Sequence, residues 1–466
     1  MMGREMGQAI GKTNHVIDEI SAYIAGAAEA RLPEDVTEKA KHHILDTLAA
    51  MVSGSHLKAG QLAITYVRNQ GGREEAQVIA SPVVTSAINA AFANGMMAHA
   101  DETDDSHTRT LVHPGSAVVP AALAMSEREG TDGRCFLRSV VVGYDVGCRM
   151  ILALGPEHLL QGSGATPGIG GCFGAASASA AAARMDQGMI RYVLSYAAQQ
   201  ASGVNFWMRD KEHVEKAFVF GGMTARNGVT AATAVQAGFT GVWDAFSGEH
   251  NFFDAFSTRP NPQRLTEGLG SEYEIMFTDM KKYSVGFPIQ ASVDALLKII
   301  ATHGLRSKDV KSITARLPAP GVLTVNNRSM PNINLQYILA AALLDGDLTF
   351  ETAHSFERMQ DPSVLELKER ITLVEAPELT VAKRTRHAII EVITQDGRRL
   401  KEHGVSRGTV ENPMTREEVA KKGRQLMAPV LGEERSETLI EKIWNLERVT
   451  KLRELRPLLV SRQCDQ

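Results

Sequence analysis

The chain has 466 residues, a formal net charge of −4, and 44% hydrophobic and 22% charged residues. That length suits two or three domains, and the balance is that of an ordinary globular protein. A nucleic-acid partner or an anionic membrane surface would require a basic excess that is missing here. No uncharged apolar run reaches bilayer-spanning length, and Met1–His15 shows no apolar signal-peptide core. Cys135, Cys148, Cys172 and Cys464 form no CxxC pair. The expectation is a cytoplasmic protein with reduced thiols, no disulfide framework and no structural zinc.

The first half reads as successive helices. Val16, Ile20 and Ile24 recur at helical spacing. In a clearer helix Pro33 sits near the first turn, Val36, Ala40, Ile44 and Leu48 share a face, and Gly54 follows the end. Ser86–Ala100 is a long apolar helix of small residues, and Ala117–Met125 is a second apolar run. Ala175–Met185 is almost wholly small, so it is predicted at the middle of a bundle, where helices approach closely. Further helices are predicted at Ile190–Ser202 and at about Met223–Ala237.

The character changes near residue 275. Asp309–Leu317 partly alternates like a strand, and Ala388–Leu400 carries Asp396-Gly397 between two strand-like runs, a hairpin signal. Helices lie between them at 289–303 and 333–345, and 414–460 is again helical and charged. The fold class read from this pattern is mainly α. A large all-α helical domain spans 1–274 and is completed by 405–466, with a smaller α+β domain inserted over 275–404.

The richest chemistry lies between the first two apolar helices, where His99–Gly115 reads HADETDDSHTRTLVHPG. Asp101, Glu102, Asp104 and Asp105 repel one another, so some pKa values must rise or a cation must sit among them. A charge run is usually a solvated face, but these charges are bracketed by core helices, where a cleft is expected. His113 stands before Pro114-Gly115 at a turn, and nearby carboxylates favour its imidazolium, which suits a general acid or base.

The DETDD cluster resembles the magnesium motif of all-helical isoprenoid synthases, yet no second metal motif follows. His107 and His113 could join the carboxylates around a transition metal, but no HxxxH or HExxH pair supports them. No metal is expected. The Gly162–Gly174 stretch lacks GxGxxG spacing and a Walker lysine. It reads as a tight loop against a ligand or neighbouring helix, able to offer N–H groups to a carboxylate just before the Ala-rich helix. Lys216 lies in VEKAFVFGG, and Lys281 and Lys282 in DMKKYSVGFP. Most such lysines are surface residues; facing an acidic pocket, they would be paired off or would hold a substrate carboxylate. Tyr337 is a core aromatic by periodicity, with a hydroxyl that needs a partner.

Taken together, these stretches resemble the MmgE/PrpD family. The resemblance rests on His99-Ala100, the acidic pair at 104–105, Ser106, and His113-Pro114-Gly115. It extends through LPEDVTEKAKHHILDTLAAMVSG, FGAASASAAAAR, ARNGVTAA at 225–232, KKYSVGFPIQASVDAL at 281–296 and LQYILAAALLDGDL ending at 348. It covers most of the chain, and the set is specific where no single motif is. It implies a large all-α domain with a smaller α+β lid, a homodimer, and no cofactor. The implied chemistry is proton or carboxylate removal beside a carboxylate on a small di- or tricarboxylate.

Carried over by position, the resemblance makes His113, Asp104, Asp105 and Lys281 catalytic. Glu102, Ser106, Lys216 and Tyr337 become substrate-binding residues, with Lys216 on or one residue from a family lysine. His113 would move the proton with Asp104 or Asp105 tuning it, and the lid would carry Lys281 and Tyr337 over the acidic cleft. The sequence departs at Ala165-Thr166-Pro167, where many members have His-Pro-Thr, and at Gly286 and Gln290, where the lid motif often has histidines. Fewer acids and bases point away from the family's 2-methylcitrate dehydratase and cis-aconitate decarboxylase activities and toward an epimerase-like isomerase or a dehydratase-like lyase with another substrate. The alternatives are a metal-dependent helical enzyme using DETDD and a non-catalytic carboxylate-binding member.

Overall fold

A computed structural model describes residues 6–381 and 386–462; Cys464 lies outside them. Its longer helices are α1 (Met6–Gly26), α2 (Glu34–Gly54), α3 (Lys58–Gln70), α4 (Ala87–Ala98), α5 (Pro114–Glu129), α6 (Gly133–Leu154), α7 (Thr166–Ala182), α8 (Gln187–Gln200), α9 (Met223–Gln236), α10 (Phe287–His303), α11 (Leu335–Asp345), α12 (Arg416–Leu431) and α13 (Glu433–Trp444). The longer strands are β1 (Val310–Leu317), β2 (Ile371–Glu375), β3 (His387–Thr394) and β4 (Arg399–Val405). The fold is mainly α. No helix among the described residues is long and apolar enough to cross a membrane.

The chain packs as two compact units. The larger takes in residues up to Ala100, Asp104–Thr278 and the chain from Arg416; the smaller takes in Asp101–Thr103 and Asp279–Thr415.

In the larger unit α7 is the central helix, and every residue from Thr166 to Ala182 is buried. Its glycines explain how. A Cβ on Gly174 would stand 2.7 Å from the Gly143 carbonyl oxygen, and one on Gly147 would stand 2.6 Å from that of Gly170. The α6 and α7 backbones therefore cross in direct contact, which any side chain would forbid. This corrects the reading of Gly162–Gly174 as a loop. The helix begins at Thr166, and in the short remainder Gly164 N–H donates to Leu159 O and Ala165 N–H to Gly203 O. Those groups are engaged in the chain's own folding and are not offered to an anion. Gly54 likewise closes α2 for packing: a Cβ there would lie 2.0 Å from Met97 O.

The smaller unit is built on a four-stranded sheet in the order β2-β1-β3-β4. The β1–β2 pair is parallel, and the β1–β3 and β3–β4 pairs are antiparallel. The Asp396-Gly397 hairpin forms as expected, with Ile393 opposite Arg399 and Gly397 at φ +88°. Helix α10 lies tight on β4, since a Cβ on Gly404 would stand 2.2 Å from Ala291 O. Val293, Leu296, Ile313, Leu339 and Ile390 share the core beneath it. Strand β2 carries no marked alternation, and the sequence reading passed over it.

Candidate active site

The acidic stretch joins the end of α4 to the start of α5. Ser86 caps α4 by accepting the Asn89 N–H, the helix runs buried to Ala98, and His99 stands at its C-terminal boundary. His113 holds the N-cap position of α5, with Pro114 as first helical residue. The two imidazoles meet on one atom. His99 Nδ1 lies 2.8 Å and His113 Nδ1 3.0 Å from Asp104 Oδ2. His99 and Asp104 are fully buried, whereas the His113 side chain keeps 13% exposure.

A donor–acceptor contact of this kind sets the tautomer. A neutral imidazole giving Nδ1–H to a carboxylate carries its lone pair on Nε2. Asp104 thus orients both rings.

An aromatic wall completes this part of the larger unit. Phe220 stacks on His99 at 4.3 Å and 15°, and meets His113 edge-on at 5.0 Å. It is carried by a π-helical turn, Phe218–Gly222, inserted between the short helix Val214–Ala217 and α9. Such turns recur at functional sites. Trp207 packs edge-on against Phe220 at 4.8 Å, and Lys216 Nζ stands 5.2 Å from both rings. The His213 ring lies 5.2 Å from that of His99, on a backbone with φ +59°. Asp210 holds this segment by accepting the N–H groups of Glu212, Glu215 and Lys216. Burial works against its charge, but these bonds keep its carboxyl below the usual range.

The neighbouring carboxylates have separate partners. Asp105 is turned away from His113: its oxygens accept from His43 Nδ1 at 2.7 Å, Tyr144 Oη at 2.6 Å and Gly115 N–H at 3.0 Å. The expectation that Asp105 is catalytic is corrected accordingly; it is a buried tie holding the first turn of α5 to α2 and α6. His107 also faces elsewhere, with Nδ1 2.7 Å from Thr110 Oγ1 and Nε2 3.0 Å from Glu274. Ser106 is buried in the two-residue strand Ser106–His107.

Asp101 and Glu102 pack within the smaller unit. Asp101 accepts from Thr103 N–H at 2.8 Å and its hydroxyl at 2.7 Å, and His354 Nε2 stands 3.1 Å away. Burial opposes the charge on both. Even so, the contact holds Asp101 below and His354 above its ordinary value. Glu102 lies 3.4 Å from Nζ of the wholly buried Lys281. The crowding read from the sequence is thus relieved residue by residue, each carboxylate by its own donors.

Two further expectations change. Tyr337 is fully buried, and its hydroxyl donates to the Thr352 and Ser355 carbonyls. It is a core residue, and its hydroxyl is not turned to a substrate. Gln290 brackets the Lys281 loop: its amide nitrogen donates to Tyr283 O at 2.7 Å and Val285 O at 2.9 Å, and its oxygen accepts Tyr283 N–H at 3.1 Å. What reads as a missing histidine is a structural clamp.

His99, Asp104 and His113 are of types that could hold a metal ion. Ligands set tetrahedrally about 2.1 Å from an ion stand about 3.4 Å apart. The Nδ1 atoms of both imidazoles stand 2.8 and 3.0 Å from Asp104 Oδ2, within hydrogen-bond reach. Sequence reasoning quoted His99 only as part of a motif and passed over Phe220, Trp207 and His213. The sole signal for them was the Gly221-Gly222 pair, which marks a close approach.

A model of the MmgE/PrpD N-terminal domain matches residues 18–265, and one of the MmgE/PrpD C-terminal domain matches 283–447. Among curated relatives, the cis-aconitate decarboxylase-like protein oryM of Aspergillus oryzae is 24% identical, over 96% of this chain and 97% of its own. The cis-aconitate decarboxylase of Aspergillus terreus is 23% identical over 95% and 96%. The human cis-aconitate decarboxylase is 24% identical over 93% and 92%.

Proposed function

Since the chain belongs to the MmgE/PrpD family, we propose that it is a cofactor-independent lyase or isomerase of a small di- or tricarboxylate. The reaction would start from proton transfer at a carbon beside a carboxylate. The observation that carries this reading is the single Asp104 oxygen shared by His99 Nδ1 and His113 Nδ1. It orients the more accessible imidazole, His113, which would take or return the proton. Proton transfer by a positioned group of this kind contributes about 10²- to 10⁴-fold. Lys216 and Lys281 would bind substrate carboxylates, Lys216 from beside the Trp207 and Phe220 rings.

The named relatives add decarboxylation to the dehydration and epimerisation favoured by the sequence departures. Dehydration and epimerisation begin with removal of a proton beside a carboxylate, whereas decarboxylation breaks a carbon–carbon bond and then returns a proton to the carbon left behind; each needs a positioned proton carrier. They differ in what leaves: water, carbon dioxide, or nothing.

Proton NMR in D₂O with citrate-, aconitate-, succinate- and tartrate-like acids, with and without EDTA, tests the reading. The expected result is deuterium uptake or product peaks that survive EDTA, and the product identifies the reaction. Loss of signal with EDTA would favour a metal-dependent enzyme. Thermal stabilisation by an acid without turnover would make the protein a non-catalytic binder.

A further inference from the structure

Beyond the lysines, the smaller unit holds a second cation with unusual chemistry. Arg386 stands just before β3, anchored through its carbonyl, which accepts both Ser406 N–H at 2.9 Å and the Ser406 hydroxyl at 3.0 Å. Its side chain is only 15% exposed, and its guanidinium carbon lies 3.5 Å over the Phe287 ring. Of five N–H donors, one is engaged: Nε donates to Asp279 Oδ2 at 3.1 Å. Asp279 is held in turn by the Val410 N–H at 3.0 Å. Nη1 and Nη2 make no hydrogen bond among the described residues.

A guanidinium largely withdrawn from water gains from having its donors matched, while Nη1 and Nη2 keep enough solvent contact to be reached by a ligand. The Asp279 contact does not match them all, because it enters at Nε and leaves the terminal fork open. The fork of a guanidinium matches the two oxygens of a carboxylate. The same Phe287 ring has Lys281 Nζ at 5.8 Å from its centre. A point cation and a forked cation therefore border one aromatic ring, which suits a ligand with two carboxylates and an apolar segment between them.

We propose that Arg386 is a carboxylate-binding residue that selects di- and tricarboxylates over monocarboxylates. The inference rests on the carboxylate reading of the function given above. It adds a residue that neither the sequence pattern nor the family match assigns.

Calorimetric titration of the full chain with succinate, propane-1,2,3-tricarboxylate and butyrate tests it. The wild type is expected to prefer the first two. Arg386→Gln should weaken their binding by about tenfold to a hundredfold, the loss typical of charged hydrogen bonds, and leave butyrate little changed. Arg386→Lys keeps the charge without the fork and should recover little of the loss. It also serves as the deciding variant if circular dichroism shows Arg386→Gln to be misfolded. Unchanged affinity for the two polyacids in a folded Arg386→Gln protein, or wild-type affinity in Arg386→Lys, would overturn the assignment and leave the proposed function standing. A wild type that binds none of the three acids would overturn both.

Discussion

Gly95 and Gly221 meet backbone to backbone. A Cβ on Gly95 would stand 2.5 Å from the Gly221 carbonyl oxygen, and one on Gly221 would stand 2.0 Å from that of Gly95. This contact seats the π-helical turn against α4 and so lays Phe220 on His99. Gly95→Ala must push the two backbones apart. A cost of about 1–3 kcal/mol is expected, as for overpacked cores. Turnover should fall with it, because the ring covering His99 moves. Urea unfolding and turnover measured on the same preparation check both effects. A variant as stable and active as the wild type would show that the contact does not position the site.

His113→Ala should cost turnover about 10²- to 10⁴-fold and leave the thermal midpoint nearly unchanged. The side chain is partly exposed and its backbone role at the α5 N-cap survives truncation. Asp104→Asn should act in the same direction, since a neutral amide accepts more weakly than the carboxylate that both rings share and brings an NH2 donor to the same place. Near-normal turnover in His113→Ala would exclude it as the base.

Tyr337→Phe should leave turnover within a small factor of wild type and lower stability by about 1–3 kcal/mol. The change strips a donor from the partly buried Thr352 and Ser355 carbonyls. A large rise in KM with unaltered stability would return Tyr337 to the substrate.

The larger unit should weaken in acid. Burial pushes His42 down to about 4 and also lowers His43, although contacts with Glu38 and Asp105 oppose the shifts. The unfolded chain protonates both near pH 6.5. Below that pH it gains protons that the folded chain refuses, so stability present above about pH 6.5 is lost as pH falls. His43→Gln should reduce this slope in urea midpoints taken from pH 5 to 8. An unchanged slope would mean that His43 charges freely in the fold.

The Asp101–His354 contact should act in the opposite direction. His354 is raised despite burial, so its contribution is complete below about pH 6.5 and is lost as pH climbs through the raised value. The lowered Asp101 loses its share only in strong acid. Asp101→Asn should therefore abolish a stability loss on the alkaline side. Thermal midpoints between pH 6 and 9 that fall equally in both proteins would count against the pair.

Much of the fold was legible. The spacing of Val36, Ala40, Ile44 and Leu48 gave α2, and the small residues of Ala175–Met185 gave a central helix, because periodicity and side-chain size act locally. Asp396-Gly397 gave the hairpin for the same reason. The direction of a side chain at a turn does not act locally. Asp104 and Asp105 are neighbours of one residue type, yet one holds two site imidazoles and the other fastens α5 to the core. Nothing in their order distinguishes them. The glycines of 162–174 misled for a related reason: a glycine chosen for helix crossing looks, in sequence, like one chosen for a loop. Arg386 and Phe287 lie far apart in the chain, and only the sheet and α10 bring them together.

The glycine-lined crossing at the centre of the bundle also bears on the order of folding. Thr166–Ala182 carries Gly168, Gly170, Gly171 and Gly174 in its first half, and each glycine disfavours a helix by about 1 kcal/mol relative to alanine. On its own such a segment stays largely coil. Its helicity is supplied by the clasp of α5, α6 and α9 around it, so the helix is expected to order together with them and not ahead of them. The His–Asp–His arrangement on the α4–α5 connection then gains its rigid backing only as the bundle closes.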